Sequence, residues 1–569
     1  MHPSLRPLIV VLVLGQAALL WWMSGQYGPR SGSAAETARQ DTLRWDSLPV
    51  NTYKPGPKFP KSSNYSATVT IDVNRPSHTI RDEIYSASKF SRESVIEFGI
   101  PIVRWGGNRT TKYNWEQDAD SSAGDWFFMN DSAHGGWFKF LDCYGQAGAA
   151  GYLTVPIIGF VAKDRSSYSY SVKKYGPQNA TEMDHPDIGN GIVSGGGRLV
   201  ANDWRDASVA VGPDFMANGV RKTLEHKKAV GRQYYVLDNE PMLWHSKHHD
   251  VRKQPLSRHE LWERTVQYAE AIRSADPNGK IAGFCSWGWK DLYTSAAEDA
   301  GELPPASDPA RALPLAEWFI KKCGDYKREH GKSIVDVFDF HWYPEAKVDE
   351  RRLHEEGGLE LRYNQLRLRT TRDLWDPSYR PESWISDTNG GKATMVIRRI
   401  RDWIEKHNPG MEISLGEYDF GGGDNITGAL AQADVFGILA RERVDLAFLW
   451  VTPRGSQELA WRLFRNYDKA GGRFGDRYLP CESKDKDLGV YAAKRSRDGA
   501  TTIAVVNKDL GGECTVTLNV NGLKGQMRVF RFDQETGNEL VEVVNSAGEI
   551  DGRITLTLPA ASGSMIVVK

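Results

Sequence analysis

Eight short apolar runs, spaced along residues 83–450 with helical patterning between them, constrain this chain more than any other feature. They fall at 83–87, 101–105, 152–158, 233–238, 279–284, 335–342, 411–417 and 446–450. Trp137, Phe140, Leu141 and Tyr144 recur at i, i+3, i+4, i+7, and Leu261, Thr265, Ala269 and Ile272 line a second helical face. Strands alternating with helices eight times over predict an α/β fold, a (β/α)8 TIM barrel, across residues 82–465. From about residue 485 the pattern changes to short β segments (488–493, 501–506, 514–520, 527–532 and 553–558) separated by turn residues. These predict an appended antiparallel β-sandwich over 466–569. The alternating run 66–73 precedes the first barrel strand, so residues 64–81 are assigned to the sandwich. At 569 residues the chain exceeds a single ordinary core, in keeping with two folded units.

The N-terminus reads differently. Arg6 precedes an apolar run from Leu8 to Leu20, extended by Trp21, Trp22 and Met23. That is short for a spanning helix and suits a secretory signal, so residues 1–23 are expected to be a signal peptide or an uncleaved signal anchor. Residues 24–63, rich in Ser, Gly, Pro and Lys, read as a linker. The protein is therefore expected to be secreted or extracytoplasmic, with membrane contact only if the segment is retained. A net charge of −1 without basic runs excludes nucleic acid as a partner. The five cysteines, Cys143, Cys285, Cys323, Cys481 and Cys514, are too scattered for a disulfide framework; a Cys481–Cys514 pair is left open. A monomer is expected.

Chemistry concentrates at two strand ends. Glu240 closes Tyr234-Tyr235-Val236-Leu237-Asp238-Asn239-Glu240-Pro241, and Glu417 closes Met411-Glu412-Ile413-Ser414-Leu415-Gly416-Glu417. The proline is expected to hold Glu240 extended, because a residue before proline is pushed out of the α region. Period-two alternation puts Asp238 with Glu240, and Leu415 with Glu417, on common sides. One carboxyl at a barrel rim is commonly a solvated or ion-paired residue. Two suit cleavage of a glycosidic bond, which needs an acid for the leaving oxygen and a carboxylate facing the oxocarbenium ion.

Three stretches resemble glycoside hydrolase family 44, the endoglucanase and xyloglucanase family. They are Arg104-Trp105-Gly106-Gly107-Asn108-Arg109 with Tyr113-Asn114-Trp115-Glu116, then Leu237-Asp238-Asn239-Glu240-Pro241-Met242-Leu243-Trp244, and Gly416-Glu417-Tyr418-Asp419-Phe420-Gly421-Gly422. The resemblance spans about residues 66–569. It implies retaining, endo-acting hydrolysis of β-1,4-glucan backbones (cellulose-like glucans or xyloglucan), with Glu240 as acid/base and Glu417 as nucleophile. The family usually shows Thr-Glu-Tyr where this chain has Gly416-Glu417-Tyr418. A polysaccharide is the expected partner, and no cofactor is required. The alternatives are a non-catalytic glycan-binding protein, or a related barrel glycosidase acting on xylan or mannan.

Supporting residues follow from position and from the resemblance. Arg104 is a candidate to hydrogen-bond Glu417, or else to pair with another barrel carboxylate. Asn239 is a candidate for the sugar 2-hydroxyl, His341 and Tyr343 for the cleft lining, and Trp450 for a sugar platform or a core residue. Asn108 and Trp115 complete the expected substrate-binding set. Metal ligands are unassigned. Structural calcium is compatible with Asp118, Asp120 and Asp125, although these lack EF-hand spacing, and His245, His248, His249 and Asp250 have ligand chemistry in what reads as a solvated loop.

Overall fold

The computed structural model describes residues 58–569, apart from 133, 227, 228, 355, 356, 451 and 538 and the side chains of 545–548. The signal or anchor segment 1–23, and all of the linker 24–63 except its last six residues, lie outside the described residues. Among the described residues no helix is long and apolar enough to cross a membrane.

Eight parallel strands form the barrel: Ser86–Ala87, Ile102–Trp105, Ala150–Val155, Tyr234–Leu237, Lys280–Ser286, Val337–Trp342, Glu412–Tyr418 and Leu446–Leu449. They neighbour one another in chain order, with strand eight pairing strand one. No ladder joins strands one and two, but the Ser86 hydroxyl donates to the Ile102 carbonyl across that seam. The barrel is thus nearly closed. Its interior is filled by Ile102, Tyr152, Val236, Ala282, Val337 and Phe448, and alternate residues such as Val103, Leu153, Phe338 and Leu415 pack in the outer core with the helices. The helical faces expected from spacing exist as Trp137–Gly145 and Arg258–Ala275, with their apolar stripes buried.

Two β-bulges break this regularity near the rim. Strand six pairs Phe340 with Leu415 and then His341 with Glu417, so Gly416 is an extra residue in strand seven. Strand five pairs Phe284 with Asp339 and Ser286 with Phe340, so Cys285 is extra there, at φ +61°. A bulge inverts the facing of every residue beyond it.

The second sheet contains Arg477–Leu479, Leu488–Lys494, Thr501–Asn507, Cys514–Phe532, Val541–Leu558 and Ser562–Val568, all joined antiparallel. Tyr65–Asp72 adds to it, running parallel to Cys514–Asn521. The two expected segments 514–520 and 527–532 are one strand with a broken register. The strand Ser562–Val568 escapes sequence reading because Ser562-Gly563-Ser564 opens it without apolar alternation. All five cysteines are free thiols, so Cys481 and Cys514 are not paired.

Candidate active site

Strand four stops at Leu237, and the chain then takes two left-handed residues, Asp238 at φ +67° and Glu240 at φ +46°. Pro241 does exclude the right-handed helical region for Glu240. The expected extended conformation is nevertheless wrong, since Glu240 sits at ψ 57° in the left-handed basin. With the strand already finished, alternation no longer governs, and Asp238 and Glu240 do not share a side. Asp238 turns inward and accepts bonds from Thr111 Oγ1 (2.6 Å), the Ile157 and Ile158 amides (2.7 and 3.1 Å) and Trp244 Nε1 (3.3 Å). Burial still pushes its carboxyl up to about 6. These bonds hold the turn rigid, and Glu240 is left projecting over the barrel mouth.

Glu417 reaches the mouth by another route. Ser414 faces the interior, where its hydroxyl lies 3.0 Å from Tyr152 Oη, and Leu415 packs in the outer core. Unbroken alternation would carry Glu417 outward with Leu415. The Gly416 bulge returns it to the inner face, so the expected pairing of Leu415 with Glu417 does not hold. Gly416 is also sterically required. A Cβ there would land on the Asp339 carboxylate.

The two glutamates converge. His341 Nδ1 lies 2.8 Å from Glu240 Oε1 and 3.5 Å from Glu417 Oε2, and one polar atom from each of the three side chains falls within 4.8 Å of the others. Tyr343 donates its hydroxyl to Glu417 Oε2 at 2.9 Å. Fully buried Arg104 places Nη2 2.8 Å from Glu417 Oε1 and donates to Asn239 Oδ1 at 2.9 Å. Asn239 in turn donates to Asn108 Oδ1 at 3.1 Å. Burial opposes the Arg104 charge, but Glu417 beside it holds the guanidinium well above its ordinary value. Burial and the neighbouring Glu417 keep the Tyr343 phenol protonated. Burial lowers His341, whereas Cys285, Glu417 and Glu240 facing it raise it well above the ordinary imidazole value. Trp450 lies with its ring 5.6 Å from the Arg104 guanidinium and 2.7 Å from where a Cβ on Gly107 would sit.

Of the expected site residues, Arg104, Asn108, Asn239, Glu240, His341, Tyr343, Glu417 and Trp450 thus form one connected cluster. Trp115 does not join it. Its ring packs on Phe215 and against Gly219, and its indole donates to the Phe215 carbonyl. The calcium candidates do not converge either: Asp118 pairs with Lys139, Asp120 with Arg109, and Asp125 with Lys247. The loop after strand four is buried rather than solvated. Asp250 is engaged by Lys112 at 2.5 Å, and burial pushes His248 down to about 3 and both His245 and His249 down to about 4. Sequence reading passed over three residues of the inner layer, Tyr152, Cys285 and Asp339. Asp339 carried a signal, as the carboxyl two residues before His341 on the same strand face.

Fold and site together resemble those of the barrel glycoside hydrolases. The chain resembles glycoside hydrolase family 44, whose sequence profile matches residues 119–346. It is 25% identical over 527 residues to the beta-mannanase/endoglucanase A of Caldicellulosiruptor saccharolyticus, covering 87% of this chain and 38% of that protein. It is 28% identical over 496 residues to the endoglucanase A of Paenibacillus lautus, covering 82% of this chain and 68% of that one. The chain therefore spans little more than a third of the first relative and about two thirds of the second. The crystal structure of CelM2, a bifunctional glucanase-xylanase from a metagenome library, superposes with a TM-score of 0.80 at 29% identity, covering 89% of this chain and 99% of that one.

Proposed function

We propose that this protein is an exported, endo-acting hydrolase of β-1,4-glucan backbones, cellulose-like or xyloglucan, that cuts with retention. The observation that carries the mechanism is the carboxyl separation. One oxygen of Glu240 and one of Glu417 lie within 4.8 Å of each other, which suits the ~5–5.5 Å of double displacement better than the ~6.5–9.5 Å across which inversion seats a water. Glu417, neutralised by Arg104 and bonded by Tyr343, is the nucleophile. Glu240 is the acid that protonates the leaving oxygen and, once Glu417 is esterified, the base that activates water. Asn239, fixed between Arg104 and Asn108, is the group for the sugar 2-hydroxyl. Such chemistry uses no redox cofactor.

The test is a polysaccharide panel of carboxymethylcellulose, xyloglucan, lichenan, xylan and mannan, with reducing ends measured for wild type and Glu417→Gln. Hydrolysis of the glucans should fall by at least about a thousandfold in the variant while polysaccharide binding persists. NMR of the first-formed product should show the β anomer. An α product, or wild-type protein that cleaves none of the panel, would overturn the reading.

A further inference from the structure

Beneath the two glutamates lies a buried layer that the hydrolytic roles above do not use. His341 spans it. Its Nδ1 faces Glu240, and its Nε2 points down toward Cys285 Sγ at 3.2 Å and Asp339 Oδ1 at 3.7 Å. Asp339 is fully buried, and its Oδ2 accepts from Tyr152. Its Oδ1 has no hydrogen-bond donor. A buried carboxylate oxygen left bare is costly, so a carboxylate retained there calls for positive charge close by. Arg104 contributes some, but it pairs with Glu417 and donates to Asn239 and Ser88, and none of its hydrogen bonds reaches Asp339 Oδ1. The proton that can face Asp339 Oδ1 is the one on His341 Nε2.

We propose that Asp339 is a positioning residue that keeps the His341 proton on Nε2, so that Nδ1 and Glu240 share the single proton delivered to the leaving oxygen. The inference rests on the reading of Glu240 as the acid/base. With Nε2–H directed at Asp339, Nδ1 is free to accept from the Glu240 acid or to return its proton. When Glu240 protonates the departing glycosidic oxygen, the pair is left as a carboxylate and a neutral imidazole still carrying Nε2–H, and the proton count balances. Were the proton on Nδ1 alone, it would donate to Glu240 and hold it ionised, with no proton to give. The competing donor is Cys285, whose thiol burial pushes up to about 11 and keeps protonated. An S–H is a weak donor, and as an acceptor the sulfur can share Nε2–H with Asp339. The other ionisable groups facing His341 are Glu417 from strand seven and, further off, Asp291 from the loop after strand five. Gly416 belongs to the same device, because only a residue without Cβ leaves room for the Asp339 carboxylate.

Asp339→Asn is the test. Its carbonyl can take the Tyr152 bond, which turns the amide N–H₂ toward His341 and strips Nε2 of its proton, the tautomer error that disables a His–carboxylate pair. On a glucan, whose leaving group needs the acid, kcat should fall at least about tenfold, and the alkaline limb of the pH–rate profile should move to lower pH. On an aryl glycoside with an acidic phenol, which leaves unaided, the glycosylation rate should stay within about threefold of wild type. Equal losses on both substrates, or an unmoved alkaline limb, would refute the role of Asp339. A wild type or Glu240→Gln enzyme indifferent to leaving-group acidity would refute the Glu240 reading instead. If Asp339→Asn does not fold, ¹⁵N NMR of histidine-labelled wild type, with His341 assigned by His341→Gln, decides. A protonated Nε2 supports the proposal, and a bare Nε2 accepting from Cys285 overturns it.

Discussion

Glu240 owes its place to backbone strain as much as to its side chain. Left-handed conformation costs a residue with a Cβ about 1–2 kcal/mol, and here it falls immediately before a proline and two residues after another left-handed residue, Asp238. The five-donor grip on Asp238, which includes its own neighbour's amide, holds the turn that imposes this geometry. Glu240→Gly should therefore stabilise the fold, or leave it unchanged within about 1 kcal/mol, while abolishing hydrolysis of glucans. Thermal denaturation beside a reducing-end assay checks this, and a variant destabilised by its glycine would show that the turn is relaxed. The identity of the two glutamates was legible in the sequence because each closes an apolar strand. Their orientations were not. Period-two counting assumes unbroken strands, whereas one carboxyl lies past its strand end and the other past a bulge.

At the scale of elements, the two bulges and Asp339 are a single packing solution. Strand six supplies a carboxylate inside the barrel, strand seven yields a glycine to accommodate it, and the extra residue that the glycine represents turns Glu417 inward. Asp339 occupies the space that a side chain at position 416 would need. Gly416→Ala should cost about 1–3 kcal/mol by overpacking, with loss of activity as Glu417 shifts. Asp339→Gly should recover much of that stability in the double variant, giving a coupling energy above about 1 kcal/mol in urea denaturation. Additive effects would mean that the strands are not coupled through this contact. The barrel itself was readable from eight apolar runs, since buried parallel strands are continuously hydrophobic. The bulges were not, because a bulge is an irregularity of pairing that a single strand's sequence does not encode. Glycine in strand seven was the one trace it left, and it resembled a simple loss of threonine.

Across the whole molecule, the sandwich is fastened to the barrel through a buried charge. Asp434, in the barrel helix Ile426–Arg441, accepts from Lys508 Nζ (2.9 Å) and Tyr491 Oη (2.7 Å) of the sandwich and from Thr371 Oγ1 (2.7 Å). Both charged side chains are almost wholly withdrawn from water, and the Tyr491 ring lies where a Cβ on Gly437 of the same helix would project. An ion pair of this kind adds little over an apolar contact, but removing one partner strands the other. Asp434→Ala should accordingly cost about 3–5 kcal/mol, since it leaves Lys508 charged and buried and the Tyr491 hydroxyl without an acceptor. Replacing both charges, as Asp434→Leu with Lys508→Met, should restore most of the loss. The helix carrying Asp434 follows directly from strand seven, so the single variant should also lower activity at temperatures where the barrel remains folded, and the double variant should not. Calorimetry of the three proteins checks the energies. If the single change costs less than about 1 kcal/mol, the charge is hydrated and the sandwich is held by its apolar contacts alone.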